Sequence, residues 1–427
     1  MSRVHAGSSW QVVAAAALAT IMSAPGQTAA IAVFTEPLLA DLEISRNALS
    51  TSYMIATLLG ACAMPLIGRA LDRYGVGPVM IVIGFSFGGV LMLLSLVTSL
   101  WGLTFGFIGL RMAGQGALGL AASTAVAVYV TRRRGLALGV KTAVGSAGIA
   151  MSPVLLEWMI RHLGTSTVWM IEGLAVWAIV LPLGCFFLRH QRKAARYSSL
   201  ELESEVDREP TSVSGTGPTA AGGGIAGGSP IHQWTVREAL HTPIFWIITA
   251  GVASSGMLGT GLNFHQIAAL GERGLTATEA AANFIPQAIA ALVVTIGVGS
   301  LVDRVRPKFA VMFSMALLAG SMGLLSVVQD AWTAVGFGAL LGASGGAVRT
   351  VEAAAFTHYF GTLHIGAIRG IVTTISVGST AFGPVVLSLG YGVLGSYALA
   401  AAVLAMIPVL VGIAALFANE PRRRSVR

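Results

Sequence analysis

The sequence predicts an all-α membrane protein of twelve transmembrane helices, arranged as two pseudo-symmetric halves of six helices. Of the 427 residues, 55% are hydrophobic and only 10% are charged, whereas a soluble domain carries about 25% charged residues. The apolar residues also come in runs of roughly 20, the length that crosses a bilayer core about 30 Å thick. Most of the chain is therefore neither a soluble enzyme fold nor disordered.

Twelve apolar runs, numbered here as spans 1 to 12, follow one another along the chain. The first six lie near residues 10–34, 47–70, 78–99, 101–130, 136–159 and 167–188. The second six lie near residues 243–267, 279–302, 308–329, 331–358, 366–391 and 395–418. The first run is too long for the hydrophobic region of a signal peptide and has no clear cleavage site, so we expect it to be a retained helix.

Basic residues determine the expected orientation. With both termini in the cytoplasm, twenty of the 26 Lys and Arg residues lie on the cytoplasmic side. Three lie outside, namely Arg46, Arg161 and Arg273, and three fall within spans, namely Arg111, Lys141 and Arg349. This asymmetry follows the positive-inside rule and requires an even number of spans. We expect a multi-pass protein of the plasma (inner) membrane with both termini cytoplasmic.

A polar segment divides the chain into two halves. A basic stretch after span 6 gives way to the acidic ELESEVDRE and then to SGTGPTAAGGGIAGGSP, a composition typical of a flexible linker. The predicted domains are an N-terminal six-helix bundle (1–189), a cytoplasmic linker (190–242), a C-terminal six-helix bundle (243–418) and a basic cytoplasmic tail (419–427). The stretch WTVREALHTP predicts a short interfacial helix before span 7.

One motif occurs in both halves. GRALDR (68–73) follows span 2, and GSLVDR (299–304) follows span 8 at an offset of 231 residues. Arg111 in span 4 likewise has a counterpart in Arg349 of span 10, at an offset of 238 residues. Duplicated halves around a site near the bilayer midplane are the architecture of a secondary transporter.

These motifs resemble those of the major facilitator superfamily. The loop GRALDRYGVGP (68–78) is similar to the superfamily's loop between helices 2 and 3, and GSLVDRVRPK (299–308) is a second copy of it. LRMAGQGALG (110–119) resembles the helix 4 motif and GSAGIAMSP (145–153) the helix 5 motif. The resemblance implies the twelve-helix major facilitator fold and transport by alternating access.

Three further stretches resemble the branch of oxalate/formate exchangers and monocarboxylate transporters. They are LEISR (42–46), RRRGLA (132–137) and EALHTPIFW (238–246). The resemblance implies a carboxylate as the transported substrate. Carriers of this branch are associated with a basic residue deep in helix 8 or helix 11, whereas here span 8 carries none and Arg369 lies at the edge of span 11.

Charged residues within spans are candidates for function, because each costs at least a few kcal/mol in the bilayer. Arg349 and Glu352 share a helical face and can pair. We predict that Arg349 binds an anionic substrate and that Glu352 accepts a proton, with a structural ion pair as the alternative. The resemblance links Arg111 to proton movement, with a packing role as the alternative. Glu172 is either a protonatable gate or an interfacial carboxylate.

Polar residues near helix irregularities are predicted to contact the substrate. Gln27 follows Pro25 and Gly26, where span 1 is expected to be irregular and to expose backbone groups; a packing kink is the alternative. Tyr53 and Thr57 share a face of span 2. At the end of span 7, Asn263 and His265 are further candidates; His265 either senses the outside proton concentration or is simply hydrated.

The paired charges in the two loops predict a gate. Asp72 and Arg73 lie in the first copy of the motif, and Asp303 and Arg304 in the second. We expect them to form charge-assisted bonds that close the cytoplasmic side in one state and break in the other. A topology signal alone explains the arginines but not the aspartates.

The sequence therefore predicts a secondary active transporter, not an enzyme. The expected substrate is a small organic anion, a monocarboxylate, moved with protons or in exchange for another anion. One alternative is a proton-driven exporter of drugs or metabolites, and another is a membrane sensor that binds solute without moving it. We expect a monomer in the lipid bilayer without nucleic-acid partners, cofactor or metal; no GxxxxGK[ST] motif indicates ATP use.

Overall fold

The computed structural model describes residues 4–130, 134–206, 234–301, 306–361 and 364–418, and these ranges are helical apart from short connections. Ten helices in the described ranges are long and apolar enough to cross a membrane, and they correspond to spans 2, 3 and 5–12. The uninterrupted spans are Arg46–Tyr74, Val76–Leu94, Arg134–Leu163, Thr165–Val206, Pro307–Leu325, Ala331–Phe360 and Ile365–Leu394. The predicted membrane fold is confirmed.

Spans 1 and 4 each consist of three shorter helical segments, so neither counts as one long helix. Span 1 consists of Val4–Ile21, a 3₁₀ turn at Ala24–Gly26, and Thr28–Asp41. Span 4 consists of Leu100–Leu110, a π-helical stretch at Arg111–Leu118, and Gly119–Tyr129. Proline at the 3₁₀ turn cannot donate a backbone hydrogen bond, so the α-helix stops there.

Spans 7, 8 and 12 are interrupted by a single residue each. Span 7 ends at Phe264 and resumes as Gln266–Gly271 after His265. Span 8 consists of Ala277–Ala282 and Phe284–Leu301, with Asn283 between them. Span 12 consists of Tyr397–Leu404 and Met406–Phe417.

Glycines let neighbouring spans approach closely within each half. A Cβ at Gly88 of span 3 would lie 2.3 Å from Trp177 of span 6. A Cβ at Gly346 of span 10 would lie 2.3 Å from the carbonyl oxygen of Ala291 in span 8. Small residues at such contacts are how helices pack in a bilayer.

The bundle has two ends, defined here by their connections. The linker end carries the start of span 7 and the continuation of span 6, whose helix runs to Val206 within the segment expected to be linker. A short helix at Val236–Leu240 precedes span 7. The far end carries residues 42–45 and 272–276, which connect spans 1 and 2 and spans 7 and 8. Residues 207–233 and the tail 419–427 lie outside the described residues.

Side-chain caps begin several helices at the far end. Ser45, Ser99 and Ser396 each accept a hydrogen bond from the backbone N–H three residues on. Asp330 caps span 10, and the backbone N–H of Thr333, 2.8 Å from its Oδ1, lowers the pKa of this carboxyl. These caps satisfy N–H groups that have no partner within the helix.

Candidate functional site

A buried arginine cluster joins spans 1, 2 and 4 in the N-terminal half. The Arg111 side chain is only 4% exposed. Its Nε donates to Thr57 Oγ1 at 3.1 Å, and its Nη1 donates to the Gly26 carbonyl at 3.2 Å and to Thr28 Oγ1 at 3.5 Å. All these acceptors are neutral, and no carboxylate of the described residues pairs with the guanidinium.

Tyr53 completes this cluster. The guanidinium carbon of Arg111 lies 4.6 Å from the centre of the Tyr53 ring, a cation–π distance. The Tyr53 hydroxyl is 2.6 Å from Thr28 Oγ1, and its ring meets that of Phe264 edge-on at 4.7 Å. The structure thus brings together Tyr53, Thr57 and Arg111, which the sequence placed in separate roles.

Gln27 lies at the junction of the 3₁₀ turn and the second helix of span 1, as its position after Pro25 and Gly26 predicted. It is partly exposed, and its Nε2 donates to Ser23 Oγ at 3.1 Å. The irregular turn also frees the Gly26 carbonyl that Arg111 binds. The turn therefore holds Arg111 in place.

Arg349 in the C-terminal half has a different environment. Its side chain is exposed, and among the described residues it makes no hydrogen bond or ion pair. Glu352 is partly buried and makes no hydrogen bond or ion pair with a described residue either. The ion pair that the spacing of Arg349 and Glu352 allows is therefore not formed. Thr350, on the adjacent face, donates to the Thr295 carbonyl of span 8 at 3.4 Å. Arg349 is thus an uncompensated cation within a span.

Lys141 of span 5 is a third cation within a span, and its sequence pattern assigned it no role. It is 5% exposed, and its Nζ donates to Ser123 Oγ of span 4 at 3.0 Å. No described carboxylate pairs with it. A lysine alone in an apolar run was the available signal, but nothing in the sequence identified Ser123 as its partner.

His265 is buried where span 7 is interrupted. It is 1% exposed, with Nε2 3.0 Å from the Pro384 carbonyl and Nδ1 3.1 Å from the Tyr397 hydroxyl. A carbonyl only accepts, so Nε2 carries the proton and Nδ1 accepts from Tyr397. Ser50 of the N-terminal half lies 3.5 Å from Nε2. This histidine therefore lies between the two halves.

Glu172 lies in span 6 without a partner among the described residues. Its Oε2 is buried and makes no hydrogen bond, and the same is true of the indole N–H of Trp169, one turn away. Trp169 stacks on Phe34 of span 1 with ring centres 3.7 Å apart.

Contacts at the far end join the two halves. Arg46 forms an ion pair with Glu36, and its guanidinium carbon lies 5.8 Å from the ring centre of Tyr391 in span 11. The Ser388 hydroxyl donates to Asn47 Oδ1. A cavity of about 420 Å³ lies beside these contacts, lined by residues of both halves that include Glu36, Arg46, Glu272, Tyr391 and Tyr397.

Comparison with known proteins decides the family. The model of the Major Facilitator Superfamily matches residues 16–321, more than half of the chain. The chain belongs to the Major Facilitator Superfamily. The twelve-span, two-half architecture is the one expected for this superfamily, and the protein is a multi-pass membrane transporter.

Three monocarboxylate transporters match a segment of this chain that is shorter than the one matched by the family model. Monocarboxylate transporter 9 of Rattus norvegicus and that of Mus musculus are each 32% identical to it over 119 residues, and that of Pongo abelii is 30% identical. The match covers 28% of this chain and 23% of each relative. It supports a relationship to this branch without covering a whole transporter.

Solved structures share the superfamily fold over almost the whole chain. A bacterial homolog to the human lysosomal transporter Spinster, in an inward-facing and occupied conformation, has a TM-score of 0.69 at 15% identity and covers 98% of both chains. The inward-facing, unoccupied form has a TM-score of 0.67 at 16% identity and covers 98% of this chain and 96% of the homolog. At such identities the likeness shows the fold alone.

Two of the four charges predicted to form the gate, Asp72 and Arg73, lie at the linker end. Asp72 and Arg73 are exposed in the last turn of the span 2 helix, and Asp72 makes no hydrogen bond or ion pair with a described residue. The guanidinium carbon of Arg73 lies 5.4 Å from the Tyr74 ring centre. Asp303 and Arg304 lie outside the described residues.

Proposed function

We propose that this transporter moves a small organic anion, a monocarboxylate, across the plasma membrane by alternating access, with proton symport or anion exchange. The observation that carries the proposal is Arg349, an exposed guanidinium within a span that pairs with no carboxylate among the described residues. Such a group is costly in a membrane unless it serves a ligand or a pathway. A carboxylate binds it through two parallel hydrogen bonds.

The charges inside the spans also favour an anion. Arg111 and Lys141 contact neutral oxygens, and Arg349 contacts no acid, so three cations lack a counter-charge within the described residues. Two carboxyls, Glu172 and Glu352, also lie within spans, and neither forms an ion pair with a described residue. When these two are protonated, the excess positive charge increases, and binding of an anion becomes more favourable.

Proton coupling in this proposal uses the carboxyls near the cations. Glu352 lies one helical turn from Arg349, so an anion that occupies Arg349 and a proton that occupies Glu352 stabilise each other. Arg111 and Glu172 are the corresponding groups of the N-terminal half. In this proposal Gln27, Tyr53 and Thr57 contact the substrate from spans 1 and 2, and Asn263 and His265 contact it from span 7.

Alternating access requires a second state with the linker end closed. The far-end contacts between Arg46, Asn47 and the C-terminal half hold the present state. We propose that Asp72 and Arg73, together with Asp303 and Arg304, form charge-assisted bonds when the linker end closes. If the linker end is cytoplasmic, the present state, held by the far-end contacts, is the one that exposes the site to the inside.

A proton-driven exporter of drugs or metabolites is the second candidate. The unpaired Glu172 favours it, because a buried carboxyl that gains and loses a proton can drive export without any anion site. Transport that does not depend on Arg349 would distinguish this candidate.

The test is uptake of labelled lactate, formate and oxalate into proteoliposomes, with and without an imposed pH gradient. Accumulation that follows the gradient, or that requires a second anion inside, supports the proposal. Folded, correctly inserted protein that moves none of the three substrates contradicts it and favours the exporter.

A further inference from the structure

The imidazole of His265 contacts residues of both halves close to the far end. Its Nε2 donates to the Pro384 carbonyl of span 11 at 3.0 Å, and its Nδ1 accepts from the Tyr397 hydroxyl of span 12 at 3.1 Å. The Ser50 hydroxyl of span 2, in the N-terminal half, lies 3.5 Å from Nε2. The side chain is only 1% exposed. Both ring nitrogens are therefore engaged by protein groups in this state, in which the far end is closed.

These contacts suit a neutral imidazole only. A second proton, on Nδ1, would point at the Tyr397 hydroxyl, which donates to that nitrogen. The hydroxyl hydrogen would have to turn away, and a full charge would be buried without a carboxylate, since no described residue forms an ion pair with His265. Burial of an unpaired charge costs far more than burial of a neutral group. The closed far end therefore excludes this proton.

The charged groups around His265 do not compensate for such a proton. Arg46 of span 2 is a cation on the same side, with its guanidinium carbon 6.0 Å from the Tyr397 ring centre. The carboxylate of Glu36 is paired with Arg46. That of Glu272 accepts from the backbone N–H of Tyr397. The other ionisable groups that the packed spans place here are the phenols of Tyr53, Tyr391 and Tyr397, which are neutral near pH 7.

Opening of the far end would change these surroundings. Pro384 and Tyr397 lie in the same half as His265 and would move with it. Ser50 and Arg46 lie in the other half and would move away. Water would then reach the imidazole ring and solvate its charged form, with a water molecule accepting from the protonated Nδ1.

We propose that His265 is a proton-binding residue of the transport cycle. It takes up a proton on Nδ1 when the far end opens, and it must release this proton before the far end closes. The proton therefore stabilises the open state relative to the closed one. A hydrated histidine takes up a proton near pH 6.5, so this stabilisation grows as the pH falls below about 6.5 and is lost as the pH rises above it. The protonated ring also presents a positive charge to an anion that enters from the far end.

The role of this proton in symport rests on the proposed function, whereas its effect on opening does not. Opening is measured without any transported substrate. The two proposals therefore fail separately: absence of carboxylate uptake leaves proton-linked opening intact, and opening that does not depend on His265 leaves coupling through Glu352 intact.

The experiment measures how fast N-ethylmaleimide labels the thiol introduced by Ser388→Cys, in a purified chain whose Cys62 and Cys185 are replaced by alanine. Ser388 is 2% exposed and contacts Asn47 of the other half, so the reagent reaches this position only when the far end opens. The labelling rate therefore follows the open population, even when that population is small. His265→Gln keeps one donor and one acceptor in the side chain but takes up no proton.

Comparison of two chains at the same pH cancels the pH dependence of the thiol itself. We expect the labelling rate of the chain with His265, divided by that of His265→Gln, to rise about tenfold from pH 7.5 to pH 5.5, as for a group that binds a proton near pH 6.5 in the open state alone. His241→Gln is the matched control, since His241 is exposed at the linker end, and its rate ratio should stay constant.

A constant ratio for His265→Gln would show that His265 keeps its protonation state when the far end opens, and would overturn the proposal. His265→Asn carries the same donor and acceptor on a shorter side chain. It supplies the same comparison, with the same expected rise, if His265→Gln fails to fold.

Discussion

Arg111 and Arg349 occupy matching positions in the two halves but have opposite environments. Arg111 is held by three oxygens and an aromatic ring, whereas Arg349 is exposed and forms no ion pair or hydrogen bond with a described residue. A guanidinium that already donates its hydrogen bonds gains little from a ligand, because exchanging one acceptor for another changes the free energy little. The free guanidinium gains the full charge-assisted interaction, so Arg349 is the better anion-binding residue.

The sequence located both arginines but not their partners. An arginine in an apolar run is visible without any structure. The partner of Arg111 is a backbone carbonyl of span 1, 85 residues away, and no pattern in the sequence indicates such a contact. The spacing of Arg349 and Glu352 allowed a pair, but spacing fixes only the helical face and not the side-chain conformations.

Replacement of Arg349 tests the role of this residue in transport. Arg349→Gln should reduce carboxylate uptake to the level of empty liposomes, because the side chain loses its charge and its bidentate geometry. Initial uptake rates, normalised to the amount of inserted protein, measure the effect. Arg237→Gln makes the same chemical change at an exposed position outside the spans and should leave uptake unchanged. Normal uptake by Arg349→Gln would remove this residue from the site.

Two helix irregularities meet at the Arg111 cluster. The 3₁₀ turn of span 1 packs on the π-helical stretch of span 4, and a Cβ at Gly26 would lie 2.7 Å from the Leu110 carbonyl, the Gly114 Cα and the Gln115 nitrogen. The Pro25-Gly26 pair predicted the irregular turn. The π-helical stretch has no comparable signal, because RMAGQGAL has no proline and its glycines are compatible with an α-helix.

A methyl group at Gly26 should separate these two elements. Gly26→Ala is expected to destabilise the protein by about 1–3 kcal/mol, the usual cost of overpacking. Thermal unfolding in detergent measures the change, and loss of the Arg111–Gly26 contact should lower transport as well. Gly119→Ala is the control: Gly119 is helical with nothing within 4 Å of its Cβ position, so alanine should be neutral or stabilising by up to about 1 kcal/mol. Equal melting temperatures for Gly26→Ala and the original chain would contradict this close packing.

At the scale of the whole molecule, the number and order of the spans were predictable and the contacts between halves were not. Hydrophobic runs and the distribution of basic residues predicted twelve spans, because bilayer thickness and the positive-inside rule act on local sequence. The far-end contacts join residues such as Asn47 and Ser388, which are 341 positions apart. Only the packed halves bring them together, and the motif repeats pointed to the linker end instead.

Spans 5 and 8 make a further contact at the far end. Arg161 Nη2 donates to Thr278 Oγ1 at 2.6 Å, and Thr278 Oγ1 donates to Glu157 Oε2 at 2.9 Å. Arg161 also pairs with Glu157 on its own helix. Thr278 is therefore the group that connects this ion pair to the other half, and its hydroxyl uses both its donor and its acceptor capacity.

Loss of the Thr278 hydroxyl should shift the equilibrium toward a far-end-open state. Thr278→Val keeps the size of the side chain and removes two hydrogen bonds between the halves, each worth about 1 kcal/mol. The open population should therefore rise roughly tenfold or more, since each 1.4 kcal/mol is about a tenfold change. Spin labels at His162 and Ala277, in a chain whose Cys62 and Cys185 are replaced, measure the distance between spans 5 and 8. Thr374→Val is the control, because its hydroxyl bonds only within span 11; identical distance distributions for both variants would show that Thr278 does not hold the halves together.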